Sequence, residues 1–355
     1  MRADYGDYDP DGVGVDNGNF LGLPKVRDPD IVFLAAASEL TVSYGAGTAG
    51  GPANVLAASA QLDVSLPDLH FSHELGVAWR PVDVGGREAI RGARAAAERV
   101  IGALEAGDAA SAIDVELVDA ASRRVDAGVQ SAVAEVLTAG AFPVLVGGEH
   151  AVSLGAFRAC ARHHGGFGIL QVDAHMDLRP AYEGFGYSHA SVMANALELP
   201  EVERLVQVGI RDWSPGEFDA MGAENGRVAT FFDYYLKRRL FEGDTWRACV
   251  TEVVEQLPRR VWVSFDVDGL DPALCAHTGT PVPGGLGFAE AQYLLRAVVD
   301  SGREVVGVDV VEVAGAPHEY EGAVAARLAY DLACRAVSSQ RPEGGEVGGR
   351  RVERE

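Results

Sequence analysis

Apolar and polar positions divide this chain into two kinds of segment that take turns along its length. Six short runs are apolar almost throughout: IVFLAAA from Ile31, FPVLVGG from Phe142, FGILQVDAH from Phe167, RLVQVGI from Arg204, RRVWVSFDVD from Arg259 and REVVGVDVVEV from Arg303. A strand with one face in water alternates apolar and polar residues, so runs without alternation predict parallel strands covered on both faces. Longer Ala/Leu-rich stretches predict helices over residues 88–105, 126–137, 151–164, 245–256, 288–300 and 323–337. Together they predict a three-layer α/β/α domain with a mainly parallel sheet. No repeat and no Pro/Ser linker interrupts it, and residues 21–337 read as a single domain. The first 20 residues, rich in Asp, Gly and Tyr, are expected to be flexible. Residues 338–355 contain EGGEVGGRRVERE and are expected to form a disordered tail.

Composition narrows the setting. Of 355 residues, 48% are hydrophobic, which suits a folded chain and excludes a mostly disordered one. Lys and Arg number 30 against 52 Asp and Glu, a net charge of −22. A surface that tracks phosphates needs clustered cations, so no nucleic-acid partner is expected; small cations, metals or a basic substrate suit this field better. No apolar run approaches the ~20 residues of a membrane helix, and no membrane partner is expected. The start, MRADYGDYDPDG, has no apolar stretch behind its Arg to act as a secretory signal. Cys160, Cys249, Cys275 and Cys334 are far apart with no CxxC spacing, the pattern of reduced thiols in a cytoplasmic protein.

Polar clusters recur where the apolar runs end. Gly148-Glu149-His150 follows VLVG, Asp173-Ala174-His175-Met176-Asp177 follows ILQV, Asp266-Val267-Asp268 follows VWVSF, and Glu312 follows VVGVDVV. In a parallel sheet, ligands bind outside the carboxyl ends of the strands, so these four segments converge on one crevice. A single DxH or DxD is common as a turn or cap, whereas this combination is hard to explain that way. Carboxylates gathered within a few ångströms repel by ~4 kcal/mol per close pair at an effective dielectric of about 20. Asp173, Asp177, Asp266 and Asp268 supply four negative charges, which two divalent ions balance, and His150 and His175 add nitrogen donors. Carboxylate and imidazole without thiolate favour Mn²⁺ or a similar ion over a structural zinc cage. Two such ions side by side lower the pKa of water held between them.

These motifs resemble those of the ureohydrolase family, the arginases, agmatinases and related amidinohydrolases of guanidino compounds. The resemblance runs from about Val32 to Val337 and rests on SYGAGTAGGP from Ser43, VGGEH from Val146, DAHMD from Asp173, SFDVDGLDP from Ser264, TGTPVPGG from Thr278 and VVEV from Val310. It implies an arginase-like fold and two metal ions. One would take His150, Asp173, Asp177 and Asp266; the other would take His175, Asp173, Asp266 and Asp268. It further implies that Glu312 pairs with the substrate guanidinium, that Thr280 lies close to that acid, and that His189 in GFGYSHAS shuttles protons. The implied products are urea and an amine, or ammonia from guanidine itself, and the implied assembly is a homo-oligomer, a trimer or hexamer.

Departures from the family pattern bear on the substrate. Arginase-like members place polar residues after DAHxD and before the shuttle histidine, where this chain has Leu178-Arg179-Pro180 and Phe185-Gly186-Tyr187. Phe185 and Tyr187 are therefore expected to disfavour L-arginine, with Tyr187 at the substrate. His277, just before TGTP, replaces a small residue and is expected at the pocket mouth. Glu149 stands where many relatives have Asp and is expected beside the metal ligands, not among them. NGNFLGLP, DLRPAYEGFGYSHAS and TFFDYYLKRRLFEG resemble an agmatinase-like branch that includes nickel-using guanidine hydrolases. Agmatine and free guanidine thus rank ahead of guanidinobutyrate-like acids, and Ni²⁺ stands behind Mn²⁺. A zinc deacetylase of related scaffold would leave His150, Asp177 and Asp268 without a task, and a phosphoesterase would set Glu312 against a phosphate. His163 and His164 read as helix caps, and Trp213 as core or rim packing.

Overall fold

The computed structural model describes Tyr5 and residues 8–69 and 72–340. Eight strands among them, β1 (Ile31–Ala36), β2 (Val77–Pro81), β3 (Phe142–Gly147), β4 (Phe167–Val172), β5 (Val202–Ile210), β6 (Val228–Phe232), β7 (Arg260–Asp266) and β8 (Glu304–Val311), form one sheet in the order β2-β1-β3-β8-β7-β4-β5-β6. Every strand pair in it is parallel. The helices are α1 (Gly51–Ser59), α2 (Arg87–Glu105), α3 (Ala112–Thr138), α4 (Ser153–His164), α5 (Val192–Leu197), α6 (Pro215–Ala223), α7 (Asp233–Phe241), α8 (Trp246–Glu255), α9 (Phe288–Asp300) and α10 (Tyr320–Ser339).

Side chains on a strand point alternately to the two faces of the sheet, and here both faces are covered. On β1, Ile31 and Phe33 pack with Val55 of α1 and Leu328 and Tyr330 of α10. Val32 and Leu34 pack on the other face with Val129 of α3 and Phe157 of α4. Full burial of each such side chain contributes about 1.5–3 kcal/mol, and two cores separated by one sheet make the three-layer α/β/α fold.

All six predicted strands and all six predicted helices form, with α3 starting 14 residues earlier than the 126 expected. β2 and β6 were not predicted. Both are sheet edges whose side chains are only partly covered, so their sequences, VAWRP and VATFF, lack the uniformly apolar signature. The expected flexible start is not uniform. Asn19 is buried and donates to the carbonyls of Leu23 and Val77, and Phe20 stacks on Phe33 with ring centroids 3.8 Å apart. At the other end α10 runs to Ser339, and residues 341–355 of the expected tail lie outside the described residues. The four cysteines are buried and unpaired, and no helix among the described residues is long and apolar enough to cross a membrane.

The strand order is what assembles the site. The four strands that end in polar clusters, β3, β8, β7 and β4, are adjacent at the centre of the sheet. Parallel pairing then delivers their carboxyl ends to one side.

Candidate active site

His150 begins a helical turn after β3, and its ring is fixed from behind. Nε2 lies 2.9 Å from Ser264 Oγ of β7, and that hydroxyl donates to Asp309 Oδ1 of β8 at 2.8 Å. Asp309 also accepts from the Trp262 indole N–H at 2.6 Å. The indole fits because residue 307 is glycine; a Cβ there would lie 2.2 Å from the Trp262 ring. A serine hydroxyl has one hydrogen, so Ser264 accepts from Nε2–H and Nδ1 is left with a lone pair.

That lone pair faces Asp177 Oδ2 at 3.0 Å, Asp173 Oδ2 at 3.2 Å and Asp266 Oδ2 at 3.4 Å. Nδ1 is buried without a hydrogen-bond partner. Acceptors converging on acceptors in a dry site need a cation between them. His175 Nδ1 repeats the arrangement, 3.0 Å from Asp268 Oδ2 and 3.6 Å from Asp173 Oδ1. The two groups, His150–Asp173–Asp177 and Asp173–His175–Asp268, each gather their donor atoms within 4.8 Å and share Asp173. Asp266 turns Oδ2 toward the first group, while its Oδ1 accepts the Asp268 N–H at 2.8 Å. These donors fit two divalent cations.

Proton equilibria register the same unbalanced charge. Burial opposes charge on His150 and His175, yet the carboxylates around them prevail, holding His150 well above its ordinary value and pushing His175 up to about 12. Burial and then the Asp173 carboxylate push Asp177 up to about 7. Burial, with Asp268 and Asp173 adding to it, holds Asp266 well above the carboxylate range. Divalent ions would replace those protons.

Glu312 leaves β8 with φ at 61° and Asp177 has φ at 55°, left-handed conformations that cost a residue bearing a side chain. The turn brings Glu312 Oε1 to the His150 N–H at 2.7 Å, inside the same cavity as the carboxylates. A Cβ on Gly279 would lie 3.2 Å from Oε2, so the glycine of TGTP admits this acid. The cavity measures about 540 Å³ and is also lined by His189, Thr280, Arg179, Tyr182 and Trp213. Thr280 Oγ1 is 3.5 Å from Asp268 Oδ2. His189 is held down to about 4, by burial first and then by the charges of His175 and His150.

Three expectations need correction. Phe185 is fully buried against Ala97, Val100 and Ile101 of α2 and Val118 of α3. Tyr187 does not line the cavity; its ring packs 5.7 Å from the Arg123 guanidinium and 6.0 Å from that of Arg158. In their place, Arg179 stacked 4.9 Å over Tyr182 forms the wall after DAHMD. His277 is 59% exposed and bonds Glu321 at 2.6 Å, outside the cavity lining. Trp213 does reach the rim, 40% exposed and 4.7 Å from Phe232. His163 and His164 close α4 as expected.

Other residues in the site carried no assignment from sequence. Gln171 donates to Asp173 Oδ2 at 2.7 Å and is itself held by Gln207 at 2.7 Å. Arg211 donates to the carbonyls of Asp268, Leu270 and Val282, tying the DVDGL and TPV loops together. A signal existed for Asp309, Gln171 and Gln207: each is a polar residue inside a strand covered on both faces, where it must have a partner.

Comparison with known proteins identifies the family. The model of the arginase family matches residues 29–338. The N(1)-aminopropylagmatine ureohydrolase of Thermus thermophilus is 32% identical over 84% of this chain and 88% of its own. The guanidinopropionase of Pseudomonas aeruginosa is 37% identical over 58% of this chain and 64% of its own. The crystal structure of agmatine ureohydrolase from Thermoplasma volcanium superposes with a TM-score of 0.67 at 26% identity, covering 87% of this chain and 90% of that one.

Proposed function

The chain belongs to the arginase family, and on that footing we propose that it is a metal-dependent ureohydrolase acting on a guanidino compound without a carboxylate, agmatine or free guanidine. The carrying observation is that two His/Asp groups joined at Asp173 share one cavity with buried Glu312. Relatives named for aminopropylagmatine and for agmatine support the substrate class. His150, Asp173, Asp177, Asp266, His175 and Asp268 would hold two divalent ions, Mn²⁺ ahead of Ni²⁺. When bound, these supply Lewis acidity and water that loses a proton near neutral pH.

The chain's own residues do the rest. Glu312 has Oε1 tied to the His150 N–H, leaving Oε2 to accept from the guanidinium. In a buried site that charge-assisted bond both anchors and orients the planar cation. His189 carries a proton to the departing nitrogen, a task for a neutral imidazole at the cavity wall. The rim favours a neutral or cationic tail: Arg179 is engaged by Glu217 at 3.4 Å, and Asp212 adds another acid. The same Arg179 carries the second reading, a guanidino acid, which the guanidinopropionase relative also supports. We propose in addition a cytoplasmic homo-oligomer, a trimer or hexamer, checked by mass in solution.

Urea release from guanidine, agmatine, arginine and guanidinobutyrate, each with Mn²⁺ or Ni²⁺ after chelation, tests the assignment. Agmatine or guanidine should lead. Comparable turnover of arginine would overturn the substrate reading, and no urea from any of them would overturn the class. One bound ion per chain would point instead to deacetylase-like chemistry.

A further inference from the structure

We propose that Thr41 is a positioning residue whose hydroxyl, with Glu149 behind it, fixes the tautomer of His189. The inference rests on the ureohydrolase reading, in which His189 carries the proton. Thr41 lies between β1 and α1, fully buried. Its Oγ1 is 2.7 Å from Glu149 Oε2 and 3.2 Å from His189 Nδ1, and it accepts the His189 backbone N–H at 3.2 Å. Glu149 also accepts the Leu40 N–H on Oε1 at 2.7 Å and the Thr41 N–H on Oε2 at 2.9 Å. The carboxylate is therefore the terminal acceptor of the chain.

A hydroxyl has one hydrogen and two lone pairs. With the hydrogen donated to Glu149, Thr41 can only accept from His189, once from the backbone and once from Nδ1–H. Nδ1 thus keeps its proton, and Nε2 is the nitrogen left to exchange one. Tyr182 packs edge-on against the ring, with centroids 5.8 Å apart at 83°, which further limits its rotation. In turnover, the attacking water forms the new C–O bond as the guanidinium C=N π pair moves onto nitrogen, and it gives one proton to Nε2. As the C–N bond breaks, its electron pair stays on the departing nitrogen, Nε2 passes its proton to that nitrogen, and the new hydroxyl loses its remaining proton to solvent as the C=O of urea forms. Nδ1–H is unchanged throughout. The opposite tautomer would present Nε2–H, which has no lone pair to receive the proton from water.

The test combines two readouts on full-length protein. ¹⁵N NMR of histidine-labelled enzyme loaded with diamagnetic Zn²⁺ distinguishes Nδ1–H from Nε2–H, with His189 assigned by its absence from a His189→Asn spectrum. Wild type should show Nδ1–H. Thr41→Val should give a mixture of tautomers and lower kcat roughly tenfold, with KM within about twofold and metal content unchanged. Thr41→Ser keeps the hydroxyl and should restore both. An Nε2–H signal in wild type overturns the proposal. So does a Thr41→Val enzyme that keeps the Nδ1–H tautomer, whatever its rate, or a Thr41→Ser enzyme as impaired as Thr41→Val. Should Thr41→Val not fold, the tautomers of wild type and Thr41→Ser decide the matter. Wild type that releases no urea from any guanidino compound sinks the ureohydrolase reading alone, since the tautomer is read without turnover.

Discussion

The sheet has a cavity at each pole, and both contain histidines and acids. At the amino end, a cavity of about 340 Å³ is lined by Asp30, Phe142, His163, His164 and Glu304, where β1, β3 and β8 begin. At the carboxyl end lies the cavity of His150, His175 and the aspartates. The poles differ in how charge is compensated. Glu304 already has the Arg260 guanidinium at 3.3 Å, and burial with the neighbouring His163 charge favours neutral His164. Among the described residues, none of the His/acid groups with donors within 4.8 Å of one another lies at that pole. At the carboxyl pole, among the described residues, Asp173, Asp177, Asp266 and Asp268 have only imidazoles as side-chain ion-pair partners, and the balance must come from outside the chain. Function follows uncompensated buried charge, not a hollow with histidines in it.

The sharpest way to break the comparison is one substitution at each pole. Asp173→Asn removes the carboxylate shared by both groups, and urea release at saturating metal should fall by about 10³-fold or more. His164→Ala at the other pole should leave activity within about twofold. Measured metal content should drop in the first variant alone. If Asp173→Asn keeps two ions per chain and a tenth of the activity, the charge argument fails.

Glu312→Gln sharpens the contrast within the carboxyl pole, separating the acid proposed to bind substrate from the acids proposed to bind metal. It keeps shape and removes charge, so kcat/KM should fall by about 10²–10³-fold, more than one neutral hydrogen bond would account for. Metal content, read by elemental analysis, should stay at the wild-type level. Loss of metal would instead make Glu312 a ligand.

The central strands were legible because helices cover both faces of them, which makes their sequences apolar without alternation; edges β2 and β6 lacked that pattern for the reason that they are edges. The candidate ligands were legible because they directly follow those strands, and a parallel sheet leaves one place for them to go. What lay further along each loop was not. Phe185 and Tyr187 sit within four residues of His189, yet Phe185 turns into a core under α2 and α3, and adjacency in sequence says nothing of facing. Thr41 meets Glu149 from 108 residues away through its hydroxyl and its backbone N–H, both donating to the carboxylate, and no motif marks it.

Asp309 tests whether the support behind the carboxyl pole matters as much as the ligands in front. Asp309→Asn removes the carboxylate that accepts from both Ser264 and Trp262, and with it the reason for His150 to keep Nδ1 toward the aspartates. Supporting groups of this kind change metal affinity by about 10–100-fold, and titration calorimetry of the chelated protein should show a loss in that range. Equal affinity in the variant would mean that packing alone orients His150.

The last prediction concerns His189 and pH. Its folded-state pKa is lowered to about 4, below the ordinary 6.5, by burial first and then by the charges of His175 and His150. Between those two values the unfolded chain takes up a proton at this residue that the folded chain refuses. Stability from this group therefore falls as pH drops from 6.5 to about 4 and levels off below that. Divalent ions held by His150, His175 and the aspartates would act in the same direction as the imidazolium charges, so loading the site should not move the histidine back toward 6.5. His189→Asn lacks the titration. Denaturant midpoints measured across that window should converge, with wild type losing ground on the variant as pH falls. A constant gap would place the imidazole in water, and a wet histidine would not suit the neutral proton carrier proposed for this pole.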